Sequence, residues 1–263
     1  GSSLGGARPK ANIRNIDDTL WITKFPSKND DVNVGAWEYV VHELAVLCGL
    51  RVPEATLHKF SSYGSTFIVK RFDRQGLKRV HFASAMTMLG ASDGVSDQYS
   101  YLDIAEFISS YGQQPAKDLE ELYRRIAFNI AVSNHDDHLR NHGFLLGDNG
   151  WILSPAYDIN PSLDNLQYLS LNISLDGSLS SFELFRSTSK YYQLSDSVAK
   201  EIIEHIRDTV KKNWYRIAKQ NKIPSSCFIS AEFALSPFLS LRSPSQQPPM
   251  VHQSHLASGL FVV

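Results

Sequence analysis

Apolar positions change period several times along the chain. Leu20-Trp21-Ile22-Thr23-Lys24-Phe25 is a short β-type run, preceded by the turn residues Asp17-Asp18 and followed by a loop from Pro26 to Asp31. From Gly35 to Leu47, Trp37, Val40, Val41, Leu44 and Leu47 recur at three- and four-residue steps. That spacing predicts an amphipathic helix stopped by Gly49. Two further β-type runs, Ala55 to Phe60 and Ser65 to Val69, flank Ser61-Ser62-Tyr63-Gly64 and predict a hairpin. Later the chain becomes mostly helical, with helices predicted over Tyr101 to Tyr111, Asp118 to Val132 and Ser195 to Lys219. Ser195 caps the last of these, and its stripe is Val198, Ile202, Ile206, Val210, Trp214 and Ile217. A second hairpin joins Phe144-Leu145-Leu146 to Trp151-Ile152-Leu153 through Gly147 to Gly150. Trp37, Trp151 and Trp214 fall on these stripes and strands and are expected in the core. Arg124-Arg125 and Lys211-Lys212 are expected on solvated helix faces. From about Ser236 the periodicity ends, so 236–263 is expected to be a loose tail.

This order predicts an α+β protein in two parts: an α+β lobe over 1–75 and a helical lobe over 76–235. With 263 residues, 43% hydrophobic and 20% charged, the chain is globular in composition rather than disordered. A net charge of −1 argues against a general duplex-DNA binder, which needs a basic surplus to neutralise phosphates. No stretch approaches the roughly 18 to 20 apolar residues of a membrane span, so no membrane partner is expected. Two distant cysteines, Cys48 and Cys227, make no disulfide framework or zinc site and suit a reducing cytoplasm.

The densest group of chemically able residues is Asn134-His135-Asp136-Asp137-His138-Leu139-Arg140-Asn141-His142, directly after an apolar helix. Asp136 and Asn141 have the D-x-x-x-x-N spacing of a protein-kinase catalytic loop. In such a loop the Asp takes the proton of the attacking hydroxyl and the Asn amide oxygen binds Mg²⁺. Asp158, after the following hairpin, is placed to be the second metal ligand, and two hard oxygens suit Mg²⁺. Lys24 ends a strand, as does the kinase lysine that grips the α- and β-phosphates, and Glu38 on the next helix is its natural partner. Lys70-Arg71-Phe72 lies where a hinge would contact adenine. Gly1 to Gly6 is flexible enough for amides to approach phosphate, although no Walker A Lys-Ser/Thr pair follows. His135, His138 and His142 are expected to order the loop through hydrogen bonds.

Taken together these segments resemble the kinase part of HipA-type toxins, from about Ser3 to Ala218. The resemblance is carried by Ser3-Leu4-Gly5-Gly6-Ala7-Arg8-Pro9-Lys10, Trp21-Ile22-Thr23-Lys24-Phe25-Pro26, Glu38, Val69-Lys70-Arg71-Phe72-Asp73-Arg74, Asn134 to Asn141, and Pro155-Ala156-Tyr157-Asp158-Ile159. It implies a bilobal HipA-like protein-kinase fold that uses ATP and Mg²⁺ and phosphorylates serine or threonine on a protein, an aminoacyl-tRNA synthetase in the family. Asp136 would be catalytic, and Asn141 and Asp158 would hold the metal. Ser3, Gly5, Gly6, Lys10, Lys24, Glu38, Lys70, Phe72, His138, Asn141, Tyr157 and Asp158 would line the ATP site. Ser3, or its neighbour Ser2, matches the loop serine that family members autophosphorylate, which switches the kinase off. The usual partner is a HipB-like helix-turn-helix antitoxin, through which any contact with DNA would be indirect. Full-length members carry a small β-rich region ahead of the Gly-rich loop. Here it is either cut away or supplied by a separate chain, as in split systems.

Two other readings compete. A truncated or inactive kinase could serve only as a nucleotide- or antitoxin-binding part of a repressor complex. His135-Asp136 also suggests an HD-type metal phosphohydrolase, which would need further ligands on other helices such as those bearing His42 and His205.

Overall fold

The computed structural model describes residues 8–228, apart from 77, 93, 95–97, 163–166 and 175–176. Ser2, Ser3, Gly5 and Gly6, and the tail over 236–263, lie outside the described residues.

A four-stranded antiparallel sheet is built from β1 (Lys10–Arg14), β2 (Leu20–Lys24), β3 (Ala55–His58) and β4 (Thr66–Lys70), in the spatial order β1-β2-β4-β3. The hydrophobic pattern does not predict β1, whose three exposed residues leave no apolar alternation to read. Its position comes from the turn that folds it onto β2. There Asp18 adopts a left-handed φ of 64°. Asp17 accepts the Thr19 N–H at 3.1 Å and the Thr19 hydroxyl at 2.6 Å. The register then sets Lys10 opposite Lys24, so two cations share one face of the sheet.

Helix α1 (Val34–Leu47) packs on β3 and β4. Asn33 fixes its entry: the side-chain oxygen accepts the Ala36 N–H at 3.4 Å and the Ser65 N–H at 2.9 Å. Gly35 allows the close approach, because a Cβ there would lie 2.3 Å from the Ser65 carbonyl oxygen. Trp37, Val40, Val41 and Leu44 are buried as the stripe predicts, but Leu47 is 46% exposed. Ala45 and Cys48 fill the core at that end instead. Gly49 closes the helix with a φ of 76°.

The rest of the chain begins with a two-stranded ribbon, β5 (Arg74–Gln75) and β6 (Lys78–Arg79). A three-stranded antiparallel sheet follows from β7 (Phe82–Ser84), β8 (Gly143–Gly147) and β9 (Gly150–Leu153), in that order. Around it lie α2 (Ala85–Met88), α3 (Tyr101–Tyr111), α4 (Pro115–Ala131), α5 (Phe182–Ser187) and α6 (Asp196–Gln220). α4 begins three residues before the predicted Asp118, because Pro115 is well suited to the first helical turn. It is the central element, packed on α3 and α6, and Leu119, Leu122, Ile126, Phe128 and Ile130 are all inaccessible. α6 also packs on α1, so one helix layer supports both parts of the chain. Its stripe holds except at Val198, which is 38% exposed while Ala199 takes the buried place. Trp37 is buried, and Trp151 and Trp214 pack against the core at its margin. Arg125 is a correction: it is buried, held by Glu121 one turn earlier. Among the described residues no helix is long and apolar enough to cross a membrane.

The close contact at Gly35 gives a direct test. Gly35→Ala should cost about 1–3 kcal/mol in chemical denaturation, the usual cost of overpacking against an immovable neighbour. A gain in stability, as expected from replacing glycine in an open helix, would contradict this packing.

Candidate active site

The site forms where β2, α1 and the segment after β9 meet. Lys24, the last residue of β2, is 9% exposed and Glu38, in the second turn of α1, is 5% exposed. The Lys24 ammonium donates to Glu38 Oε1, and also to Asp158 Oδ1 at 2.6 Å. Burial works against the charge on Lys24, but Glu38 and Asp158 outweigh it and leave the amine more basic than an ordinary lysine. Burial would likewise raise the Asp158 carboxyl, but the charge and hydrogen bond of Lys24 bring it below the usual aspartate value. Glu38 is deeper still, and there burial prevails and raises its pKa despite Lys24.

Asp158 has a left-handed φ of 58°, a sparsely populated conformation for a non-glycine residue. Neighbouring contacts hold it there. The Ala156 N–H donates to the Arg51 carbonyl at 2.7 Å, and the Tyr157 hydroxyl donates to the Arg140 carbonyl at 2.6 Å. Tyr157 therefore joins the Asp158 segment to the loop that carries Asp136 and Asn141.

In that loop two adjacent aspartates have opposite surroundings. Asp136 is exposed and opens into the cavity described below, while Asp137 is 3% exposed. Asp137 Oδ2 accepts from the Tyr101 hydroxyl at 2.8 Å, Asn129 Nδ2 at 2.6 Å and His142 Nε2 at 2.9 Å. Burial raises the Asp137 carboxyl, but His142 and Tyr101 more than reverse this and hold it below the usual value. Asp137 thus ties the loop to α3 and α4. Asn141 closes back over Asp136: its Nδ2 donates to the Asp136 carbonyl at 2.9 Å, and its N–H to the His138 carbonyl at 2.8 Å. His135 Nδ1 donates to the Tyr168 carbonyl at 2.8 Å, and His142 serves Asp137, so both rings order the loop. His138 does so through its backbone N–H, which donates to the Asp136 carbonyl at 3.1 Å.

A cavity of about 1190 Å³ lies between the four-stranded sheet and this loop. Every described residue of the expected site borders it: Lys10, Lys24, Glu38, Lys70, Phe72, Asp136, His138, Asn141, Tyr157 and Asp158. Lys70 sits at its edge, 3.3 Å from Glu54, with its ammonium over the Trp21 ring. Phe72 packs against Phe82 and Tyr157. Ser2, Ser3, Gly5 and Gly6 lie outside the described residues. The sequence reading missed Asp137, Arg51 and the pairing of Arg8 with Asp30 at the cavity's rim. Only Asp137 had a signal, as the second acid in His135-Asp136-Asp137-His138. Arg51 stands in a loop without a motif, and Arg8, though it ends the Gly-rich segment, has no local sign of Asp30 as its partner.

The donor set fits a hard divalent cation. Asn141 spends its amide nitrogen on Asp136, leaving its oxygen as the available acceptor, and Asp158 is an ionised carboxylate. Among the described residues no group of three or more His, Cys, Asp and Glu could hold a metal. A cation here would therefore share its shell with ligand oxygens, as Mg²⁺ commonly does. Among the described residues, the further ligands that the phosphohydrolase reading needs do not gather around His135.

The Asp137 arrangement sets an acid-stability test. A carboxyl lowered on folding stabilises the fold above its unfolded value, 3.8, and that contribution is lost as pH falls through the lower folded value. Melting temperatures of wild type should fall steeply below about pH 4. Asp137→Asn should lower stability at neutral pH and flatten that acid limb. An acid limb of unchanged steepness would contradict the charged, triply bonded Asp137.

Comparison with known proteins comes to the same architecture. A protein of Sinorhizobium fredii named "Putative kinase Y4dM" is 28% identical over 211 residues, covering 73% of this chain and 50% of that one. The chain spans about half the length of the curated relatives it matches. HipA from the Shewanella oneidensis MR-1 toxin–antitoxin complex of HipA, HipB and operator DNA superposes with a TM-score of 0.73. That match has 18% identity and covers 90% of this chain and 64% of the other. The Helicobacter pylori proinflammatory kinase CtkA gives a TM-score of 0.64 at 17% identity, covering 90% of this chain and 88% of that one. The fold is therefore the α+β, HipA-like kinase fold. Residues 2–214 match the HipA-like C-terminal domain, and the chain belongs to that family.

Proposed function

We propose that this chain is the kinase part of a toxin-type serine/threonine protein kinase that transfers the γ-phosphate of ATP to a protein. The observation that carries the reading is the meeting of Lys24, Glu38, Asp136, Asn141 and Asp158 around one cavity. Lys24 is buried, charged and already oriented by Glu38, so it can bind α- and β-phosphate oxygens without reorganising. Lys10, opposite it in the sheet, adds a second cation for the triphosphate. In the Lys70–Phe72 hinge, the N–H groups of Lys70 and Arg71 are spent on the Glu54 and Leu20 carbonyls, so adenine would read the backbone of Phe72. Asn141 and Asp158 would hold Mg²⁺, which would neutralise charge on the β- and γ-phosphates. Asp136, exposed at the cavity, accepts the proton of the protein hydroxyl. That oxygen bonds the γ-phosphorus, the bond to the bridging β-phosphate oxygen breaks, and ADP leaves.

The family resemblance supplies the finer proposals: an aminoacyl-tRNA synthetase as substrate, a HipB-like antitoxin as partner, and autophosphorylation of Ser2 or Ser3. Phosphate on that loop would repel the triphosphate through like charge. The likeness to a HipA that is held with HipB on operator DNA supports the antitoxin partner.

Radiolabelled ATP with Mg²⁺ tests the central step. Asp136→Asn should lower phosphate transfer by on the order of 10² to 10⁴ while ATP binding persists. Equal transfer by the variant would refute the assignment, and nucleotide binding by wild type without any transfer would favour the repressor-component reading. Intact mass after incubation with ATP should show the increment of one phosphate, lost in the Ser2→Ala, Ser3→Ala double variant. Persistence of the increment there would place the modification elsewhere.

A further inference from the structure

Behind the cavity lies a second group of buried charges that the proposed chemistry does not use. Arg51, in the loop after α1, meets Asp118, Glu121 and Arg125 of α4. Arg51 Nη2 donates to Asp118 Oδ1 at 2.6 Å, and its Nε lies 3.8 Å from Glu121 Oε2. Arg125 Nε donates to Glu121 Oε1 at 3.0 Å. Two cations face two anions, so the group is neutral as it stands. Asp118, Glu121 and Arg125 are buried, and the Arg51 side chain is 32% exposed.

Each member also holds backbone. Asp118 Oδ2 accepts the Leu153 N–H at 2.9 Å, and Arg125 Nη2 donates to the Ser154 carbonyl. Glu121 Oε1 accepts the Arg51 N–H at 3.1 Å, and the Arg51 carbonyl accepts the Ala156 N–H at 2.7 Å. Two segments are thereby locked together. One is the loop leaving α1, the helix that carries Glu38. The other is 153–156, which runs directly into Tyr157 and Asp158.

From this we infer that Arg51 is a positioning residue for phosphoryl transfer: by neutralising Asp118 and Glu121 it fixes the Asp158 segment against the Glu38 helix. The inference rests on the kinase reading above. Without the Arg51 guanidinium, two buried carboxylates face one cation. Arg125 is then drawn toward both acids and away from the Ser154 carbonyl, because an unpaired buried charge is strongly disfavoured. The strap on 153–156 loosens, and the placement of Asp158 suffers. Lys10 and the hinge are held by the sheet, and Lys24, at the end of β2, keeps Glu38 as a partner when Asp158 shifts, so the nucleotide's other contacts change far less than the metal site.

The experiment reads binding, on the full chain, with Mn²⁺ as the metal probe and a non-hydrolysable ATP analogue. Arg51→Met should weaken Mn²⁺ binding to the nucleotide-loaded protein by on the order of 10- to 100-fold, the usual cost of losing an outer support of a metal site. Metal-free affinity for the analogue should stay within about twofold of wild type, which a general loss of folding would not allow. Arg51→Lys should recover part of the metal affinity, because one ammonium still pairs with Asp118. If Arg51→Met does not fold, Arg51→Lys decides alone: weaker Mn²⁺ binding with nucleotide affinity kept supports the inference. Unchanged Mn²⁺ affinity, or an equal loss in both affinities, overturns it. A wild type that binds both probes but transfers no phosphate defeats the kinase reading and leaves standing only that Arg51 positions Asp158 for the metal, whereas a wild type that binds no nucleotide defeats both.

Discussion

A single buried ammonium joins three distant parts of the chain. Lys24 ends a strand of the four-stranded sheet, Glu38 lies on the helix packed against that sheet, and Asp158 follows a hairpin of the other sheet. Removing the amine would leave two carboxylates facing each other in a mostly desolvated place, which is costly. Much of the architecture nearby serves to bring these groups together. Asn33 and Gly35 set α1 close to the start of β4, so that Glu38 reaches Lys24. Tyr157 and the Arg51 carbonyl hold the backbone leading into Asp158, whose φ is one it would not adopt freely. The ammonium stands among these acids where an incoming triphosphate would need a cation, already charged and oriented.

The loop below obeys a related constraint. Asp136 and Asp137 are chemically identical neighbours, and only their surroundings separate their roles. Asp137 is sunk among Tyr101, Asn129 and His142, each donating to one oxygen, and so anchors the loop from inside. With that anchor made, Asp136 is left facing the cavity, and the turn at Leu139 to Asn141 folds Asn141 back over it. An exposed acid at a fixed position is what a proton acceptor requires, and a buried partner is what fixes the position.

Much of this was legible in the sequence because its signals were local. Helical periodicity gave α1, α3, α4 and α6 to within a few residues, and the D-x-x-x-x-N spacing singled out Asp136 and Asn141, which both border the cavity. What escaped depends on long-range pairing. β1 has no apolar alternation of its own and exists through its register with β2. Arg125 follows Arg124 in a pattern that looks solvated, and its burial depends on Ser154 and Arg51 arriving from elsewhere in the chain to complete its pairing with Glu121. Leu47 and Val198 continue their stripes in sequence but lie in the terminal turns of their helices, where Cys48 and Ala199 provide the core contact. Asp137 was visible as an acid, yet its three donors come from α3, α4 and the far side of the loop, which no spacing rule reveals.

The central claim is that one cavity, with Lys24 and Asp158 at its floor, holds ATP for transfer. A crystal structure of the chain with a non-hydrolysable ATP analogue and Mg²⁺ tests it most directly. The account predicts the phosphates against Lys24, the metal between Asn141 and Asp158, and the γ-phosphate facing Asp136. A nucleotide bound elsewhere, or bound with its phosphates away from Lys24 and Asp158, would contradict it.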